Sequence, residues 1–270
     1  GIGFTPDVVI IKGNTNQAAV IRTSSMTGDN SKPLVGATAL STNRIQSLDS
    51  DGFTLGTHDT VNKDGITYYW MAFKTAPGQM TVGTYSGNGT AGSVTALGFS
   101  PAYVMVLSAA NYNAVQRSTA MPSTFYFDSD SGTANSITSL NADGFSVANN
   151  SRVNSRGITY YYVAWKAVAD RMNVGSYVGN GSDNRSITGA GFAPQYVILR
   201  PDATASNKNS AHKSAATGST TDVALNFYAS ANSTNRVQAL ETDGFQVGGD
   251  NQVNQNSKTY YWMAFTGAGP

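Results

Sequence analysis

Apolar and polar residues change over in short runs along the whole 270-residue chain, and nowhere does an apolar spacing of three and four persist long enough to predict a helix. Three continuous apolar runs rich in β-branched residues, "VVII" from Val8, "VMVL" from Val104 and "VIL" from Val197, predict central strands covered on both faces. The prolines just before them, Pro6, Pro101 and Pro194, fit a strand's first residues, where no ladder hydrogen bond is lost. Elsewhere the alternation is strict, as in "IQSLDSDGFTLG", where it flanks Asp51 and Gly52. An Asp-Gly step supplies the positive φ of a tight hairpin. Glycine punctuates the remainder every few residues, so the pattern predicts an all-β protein.

Laid against itself, the chain shows a unit of about 90 residues, a period that points to a repeat architecture. The unit opens with "GFTPDVVIIK", "GFSPAYVMVL" and "GFAPQYVILR". A basic residue follows at one matched place, Arg22, Arg117 and Lys213. Next comes the hairpin, "LDSDGFTL", "LNADGFSV" and "LETDGFQV", whose Phe53, Phe145 and Phe245 are expected to drop into each core, and then a Val-Asn pair at Val61, Val153 and Val253. The unit closes on "ITYYWMAFK", "ITYYYVAWK" and "KTYYWMAFT", and between units lie "MTVGTYSGNG" and "MNVGSYVGNG". The expected limits are 1–88, 89–180 and 181–270, with six or seven strands in each unit and length differences confined to the third unit's loop from about Ser206 to Ala224. The units form either three β-sandwiches or a pseudo-threefold array.

In the closing strand, a period of two sets Tyr69, Met71 and Phe73 against Tyr68, Trp70 and Ala72. The counterparts are Tyr161, Val163 and Trp165 against Tyr160, Tyr162 and Ala164, and Tyr261, Met263 and Phe265 against Tyr260, Trp262 and Ala264. The first set reads as core. The second is aromatic too, so the strand is either buried on both sides or displays an aromatic strip.

Composition changes this picture little. Net charge is +1, from 17 basic and 16 acidic residues, which gives no electrostatic case for nucleic acid or an anionic membrane. No apolar run is long enough for a membrane helix. Cysteine is absent, which removes disulfides and thiolate metal sites. The polar, uncharged surface predicts an extracellular location, and a chain opening at Gly1 reads as a processed product or an excised piece.

Candidate chemistry is sparse. The two histidines, His58 and His212, do not occupy matched positions, no serine lies in a nucleophile-elbow pattern, and the expectation is of no enzyme and no cofactor. Asp49 with Asp51, and Asp128 with Asp130, are weak calcium candidates whose ordinary reading is turn chemistry. "GxYxGNG" lacks the Lys and the following helix of a phosphate loop and reads as a turn between units. Asn88-Gly89-Thr90 and Asn180-Gly181-Ser182 match the N-glycosylation pattern, which shows little beyond exposure.

The opening, hairpin, closing strand and "GxYxGNG" segment together resemble the tandem repeats of bacteriophage tail fibres and secreted bacterial surface proteins, over essentially the whole chain. That resemblance implies lectin-like or jelly-roll-like β-sandwich units, a place on a virion or cell surface, a surface or fibre role and no catalytic residues. Two functions follow. In one, cell-surface glycans bind the aromatic strips Tyr68 with Trp70, Tyr160 with Tyr162 and Tyr260 with Trp262, beside Arg22, Arg117 and Lys213, with avidity from repetition. In the other, the protein is a structural subunit of an extracellular filament or tail fibre. Only two copies of the "MxVGxYxGNG" segment serve three units, so one terminal sheet is expected to keep an open edge. A neighbouring molecule or adjoining segment then covers it, favouring head-to-tail assembly, or residues near Gly1 or in "TGAGP" fold back over it.

Overall fold

The computed structural model describes residues 1–128 and 135–267. Its strands fall into three groups that follow the sequence units. The first contains β1 (Val8–Gly13), β2 (Val20–Thr23), β3 (Lys32–Pro33), β4 (Ile45–Asp49), β5 (Gly52–Leu55), one helical turn α1 (Asp59–Asn62) and β6 (Tyr68–Phe73). The second contains β7 (Met80–Ser86), β8 (Gly92–Thr95), β9 (Tyr103–Ser108), β10 (Val115–Ser118), β11 (Phe125–Tyr126), β12 (Ile137–Asn141), β13 (Gly144–Val147), α2 (Ser151–Asn154) and β14 (Thr159–Trp165). The third contains β15 (Met172–Val178), β16 (Arg185–Thr188), β17 (Tyr196–Pro201), β18 (Ala211–Ser214), β19 (Leu225–Asn226), β20 (Val237–Glu241), β21 (Gly244–Val247), α3 (Asn251–Asn254) and β22 (Thr259–Phe265).

Main sheets run β3-β2-β1-β6, β11-β10-β9-β14-β7 and β19-β18-β17-β22-β15, and small sheets run β4-β5, β12-β13-β8 and β20-β21-β16. Among the described residues the second and third groups thus have eight strands each and the first has six, rather than six or seven throughout. Strand pairing also moves the expected limits. Met80–Ser86 pairs with β14 in the register Met80↔Trp165 to Ser86↔Thr159, and Met172–Val178 pairs likewise with β22. The "MxVGxY" segment therefore belongs to the unit that follows it, and the divisions lie upstream of Met80 and Met172 rather than after residues 88 and 180. The third unit's loops after β17 and β18 are longer than those of the second, and the β2–β3 and β3–β4 loops of the first are also lengthened.

Each "DGF" is a hairpin turn, with Gly52, Gly144 and Gly244 at φ +153°, +150° and +148°. Its aspartate has a second task that the sequence pattern did not disclose. Asp143 accepts the N–H groups of Ala96 and Gly98 at 3.2 and 2.6 Å, and Asp243 those of Gly189 and Gly191 at 3.2 and 2.7 Å. Asp51 accepts those of Ile2 and Gly3 at 2.9 and 2.6 Å, so the hairpin pins the opening of its own unit. These N–H donors hold the Asp51 carboxyl below the usual carboxylate range.

Both faces of the second and third main sheets are covered along their closing strands, whereas in the first the outward Trp70 stays exposed. Outward, Val9, Ile11, Val20, Ile45 and Val61 form one satellite core beneath the hairpin, and equivalent clusters lie in the other units. Inward, all three sheets contribute to one central core. At its heart Phe73, Trp165 and Phe265, matched residues of β6, β14 and β22, meet edge to face with ring centroids 5.7, 5.4 and 5.5 Å apart. The arrangement is therefore three main sheets, each backed by a small sheet, that share one central core. Because the rings are shared, truncating one removes contacts from every unit. Trp165→Ala is expected to destabilise the chain by about 3–5 kcal/mol and to do so in one cooperative denaturant transition, monitored by circular dichroism. Separate transitions for the units would show that the central core does not couple them.

Candidate functional site

Three of the six residues of the aromatic strip are interior, and Tyr68 and Tyr162 are half-buried. Tyr160 and Tyr260 are inaccessible to solvent and Trp262 is 5% exposed, whereas Trp70 is 43% exposed. A sugar platform needs an open ring face, and Tyr160, Tyr260 and Trp262 do not offer one. Each first tyrosine instead fastens the helical turn before it. Tyr68 donates its hydroxyl proton to the Asp59 carbonyl at 2.6 Å and accepts the Lys63 N–H at 2.9 Å. Tyr160 makes the same pair with Ser151 and Ser155, and Tyr260 with Asn251 and Gln255.

The "GxYxGNG" segment explains the burial. Tyr85 stacks on Tyr160 and Tyr177 on Tyr260, both at 5.3 Å between ring centroids. Their hydroxyls donate to the Val153 and Val253 carbonyls. Gly83 lies under Tyr162 and Gly175 under Trp262, so close that a Cβ would come within 2.4 Å of the Tyr162 hydroxyl and 2.3 Å of the Trp262 ring. In the turn beyond, Asn88 N–H donates to the Asn154 side chain at 2.9 Å and Asn180 N–H to that of Asn254 at 3.0 Å, which gives the repeated Val-Asn pair its purpose. The segment is a covering strand and clamp, not a bare linker.

Two of the repeated bases, Arg22 and Lys213, are interior as well, and Arg117 is half-buried. Arg22, 7% exposed, donates to the carbonyls of Met26, Gly28, Asn30 and Ile45. Arg117 donates to those of Ile137 and Pro122, and Lys213 to those of Thr221 and Val223 at 2.6 and 2.9 Å. Each satisfies the loop that follows its strand, so none stands beside an aromatic face as a ligand group. Asp49 accepts from Ser47 and Thr54, and Asp128 from Gly36 and Asn113; Asp130 lies outside the described residues. No group of three His, Asp or Glu side chains among the described residues could hold a metal ion. His58 caps α1 by accepting the Thr60 N–H at 3.1 Å. His212 is buried against Tyr196 and Phe227, and desolvation drives its pKa down to about 3.

Sequence reasoning missed the cations that join the units. Lys12 donates to the carbonyls of Gly13, Thr15 and, across the junction, Ser230 at 2.7 Å. Arg200, at the matching position, donates to the Asp128 carbonyl at 2.7 Å and lies 4.9 Å over the Phe125 ring. The second unit has Leu107 there, and the cation comes from the other side: Lys32 donates to the carbonyls of Ala110 and Tyr112 at 3.3 and 2.9 Å. One buried cation thus serves each of the three junctions. The available signal was a basic residue ending two of the three apolar runs, "VVIIK" and "VILR".

A family comparison bears on the third unit. Residues 167–269 match a "Domain of unknown function (DUF7483)". The matched span takes in β15 as well as β22, in agreement with the strand pairing that groups them. No curated protein matches the chain, and no solved structure does. No helix among the described residues is long and apolar enough to cross a membrane.

The buried cations make stability depend on pH. Desolvation lowers Lys12 and Lys213 to about 8 and Lys32 to about 7, from the ordinary 10.5. Between those values the unfolded chain holds protons that the folded chain has released, so raising the pH stabilises the fold. His212 acts in the same sense between about 3 and 6.5. Buried Tyr103, Tyr177 and Tyr196 are raised above 10, which reverses the slope once unfolded tyrosines ionise. Urea unfolding is expected to show stability climbing from acid to a maximum near about pH 10, and Lys32→Met is expected to flatten the climb above pH 7. A maximum at or below pH 7 would mean that these amines keep their protons in the folded chain.

Proposed function

We propose that the chain is a non-enzymatic structural module of an extracellular or virion-surface fibre. The observation that carries this reading is that the repeated bases answer loop carbonyls within their own units and that the closing-strand aromatics of the second and third units pack into the satellite cores or the shared core. A protein whose repetition served multivalent binding would keep an equivalent open site on each unit. Here the matched positions differ in exposure from unit to unit, while their structural hydrogen bonds recur. Near-neutral charge and a polar surface suit a module exposed to solvent. The resemblance to tail-fibre and surface-protein repeats, with its lectin-like sandwiches, points the same way.

A second reading, glycan binding, is favoured by one observation: the exposed Trp70 ring borders a shallow hollow with Phe53, Asp49 and Asp51. It would be a single site, not three. Screening the full chain and Trp70→Ala on a glycan array separates the readings. The structural role expects no sugar-specific retention by either protein. Retention by the full chain that disappears in Trp70→Ala, with an unchanged melting temperature, would establish the sugar reading in its place.

A further inference from the structure

The covering strand has a partner in two units and none in the first. In the second unit β7 closes the main sheet on β14 and β8 closes the small sheet on β13 in the register Gly144↔Thr95 to Val147↔Gly92; β15 and β16 do the same on β22 and β21. Among the described residues nothing pairs with the outer edge of β6, whose other edge is held by β1, or with the outer edge of β5, whose other edge is held by β4. Gly1–Gly3 reaches Asp51 but adds no strand.

The parts of the first unit that would receive such a segment are all retained. Trp70 stands where Tyr162 and Trp262 lie under a glycine, and it meets Phe53 edge to face at 5.7 Å, as Trp262 meets Phe245 at 6.2 Å. Tyr68 keeps its bonds to α1 and lacks only the stacked tyrosine. Asn62, exposed and with its amide donating to the Gly56 carbonyl at 3.0 Å, keeps its side-chain oxygen for a turn N–H, as the buried Asn154 and Asn254 use theirs on the "GNG" turn. Gly65, at φ +71°, and Ile66 match Gly157 and Ile158, which exchange hydrogen bonds with Gly87.

We propose that the outer edges of β6 and β5 form a docking site for an extended two-strand segment of the "MxVGxYxGNG" type, supplied from outside the described residues. The interface already formed twice in the chain continues onto this third, equivalent edge, which fixes both the occupant and its antiparallel register. The occupant's Gly would lie on the Trp70 face, its Tyr would stack on Tyr68 and donate to the Val61 carbonyl, and its Asn turn would be held by Asn62. A second copy of residues 1–267 is the weaker candidate, because its β7 and β15 are already engaged with β14 and β22. This inference goes beyond the fibre reading, and its test does not depend on the glycan array that decides that reading.

Of the three tryptophans, Trp165 and Trp262 are 4% and 5% exposed, so acrylamide quenching of the full chain reports chiefly on Trp70. A synthetic peptide with the sequence of residues 79–97 is the probe. Saturating peptide is expected to give a several-fold loss of quenching and a blue shift of emission, while the same peptide carrying Gly83→Leu, whose side chain has no room over the ring, gives neither. A chain extended at Gly1 by residues 79–95, which reproduces the spacing of the second unit, is expected to protect Trp70 unaided and to melt at a higher temperature. The proposal is overturned if Trp70 stays fully quenchable both with peptide and in the extended chain. It is equally overturned if an oligosaccharide protects Trp70 and the peptide does not, or if the unextended chain forms a dimer that protects Trp70 by itself.

Discussion

A strand buried on both faces and bonded along both edges organises this protein. In β14 and β22, inward residues fill the shared core, outward residues fill a satellite core, and neighbours on each side satisfy the backbone. Such a strand cannot alternate apolar with polar, which is why the closing segments are aromatic or apolar at nearly every position. The Phe73, Trp165 and Phe265 rings then require the three closing strands to converge, since each ring meets the other two edge to face across units.

Convergence brings backbone carbonyls of the loops into contact where water is excluded. An unmet buried carbonyl costs about 1–3 kcal/mol, and long side chains ending in several N–H donors can meet two or three at once. Lys12, Lys32 and Arg200 do so at the three junctions, and Arg22, Arg117 and Lys213 do so within the units. The desolvation of these cations opposes the gain, and the lowered lysine pKa values express that opposition. Position is flexible so long as each junction receives one: Leu107 stands where Lys12 and Arg200 stand, and Lys32 compensates from across the junction.

Much of the fold was legible in the chain. The hairpins at Asp51, Asp143 and Asp243, the doubly apolar β1, β9 and β17, and the alternation within the closing strands all follow from local stereochemistry, because period-two patterning and glycine turns are properties of a few consecutive residues. The candidate site was less legible. Tyr68, Tyr160 and Tyr260 look alike in sequence, and so do Trp70 and Trp262, yet Trp70 alone among the latter pair is open to solvent.

That difference marks the boundary between the two kinds of information. The sequence by itself determined the all-β class, the recurrence of the unit and the two-sided apolar character of its closing strand, since each is written in residue order. Tertiary structure decided that "MxVGxYxGNG" joins the unit after it, that the repeated bases face loop carbonyls, and that three main sheets share one aromatic centre. The physical reason is that burial is not a property of a segment. A tryptophan is covered or bare according to whether a glycine strand lies across it, and Gly175 lies over Trp262 while no described residue lies in that place over Trp70.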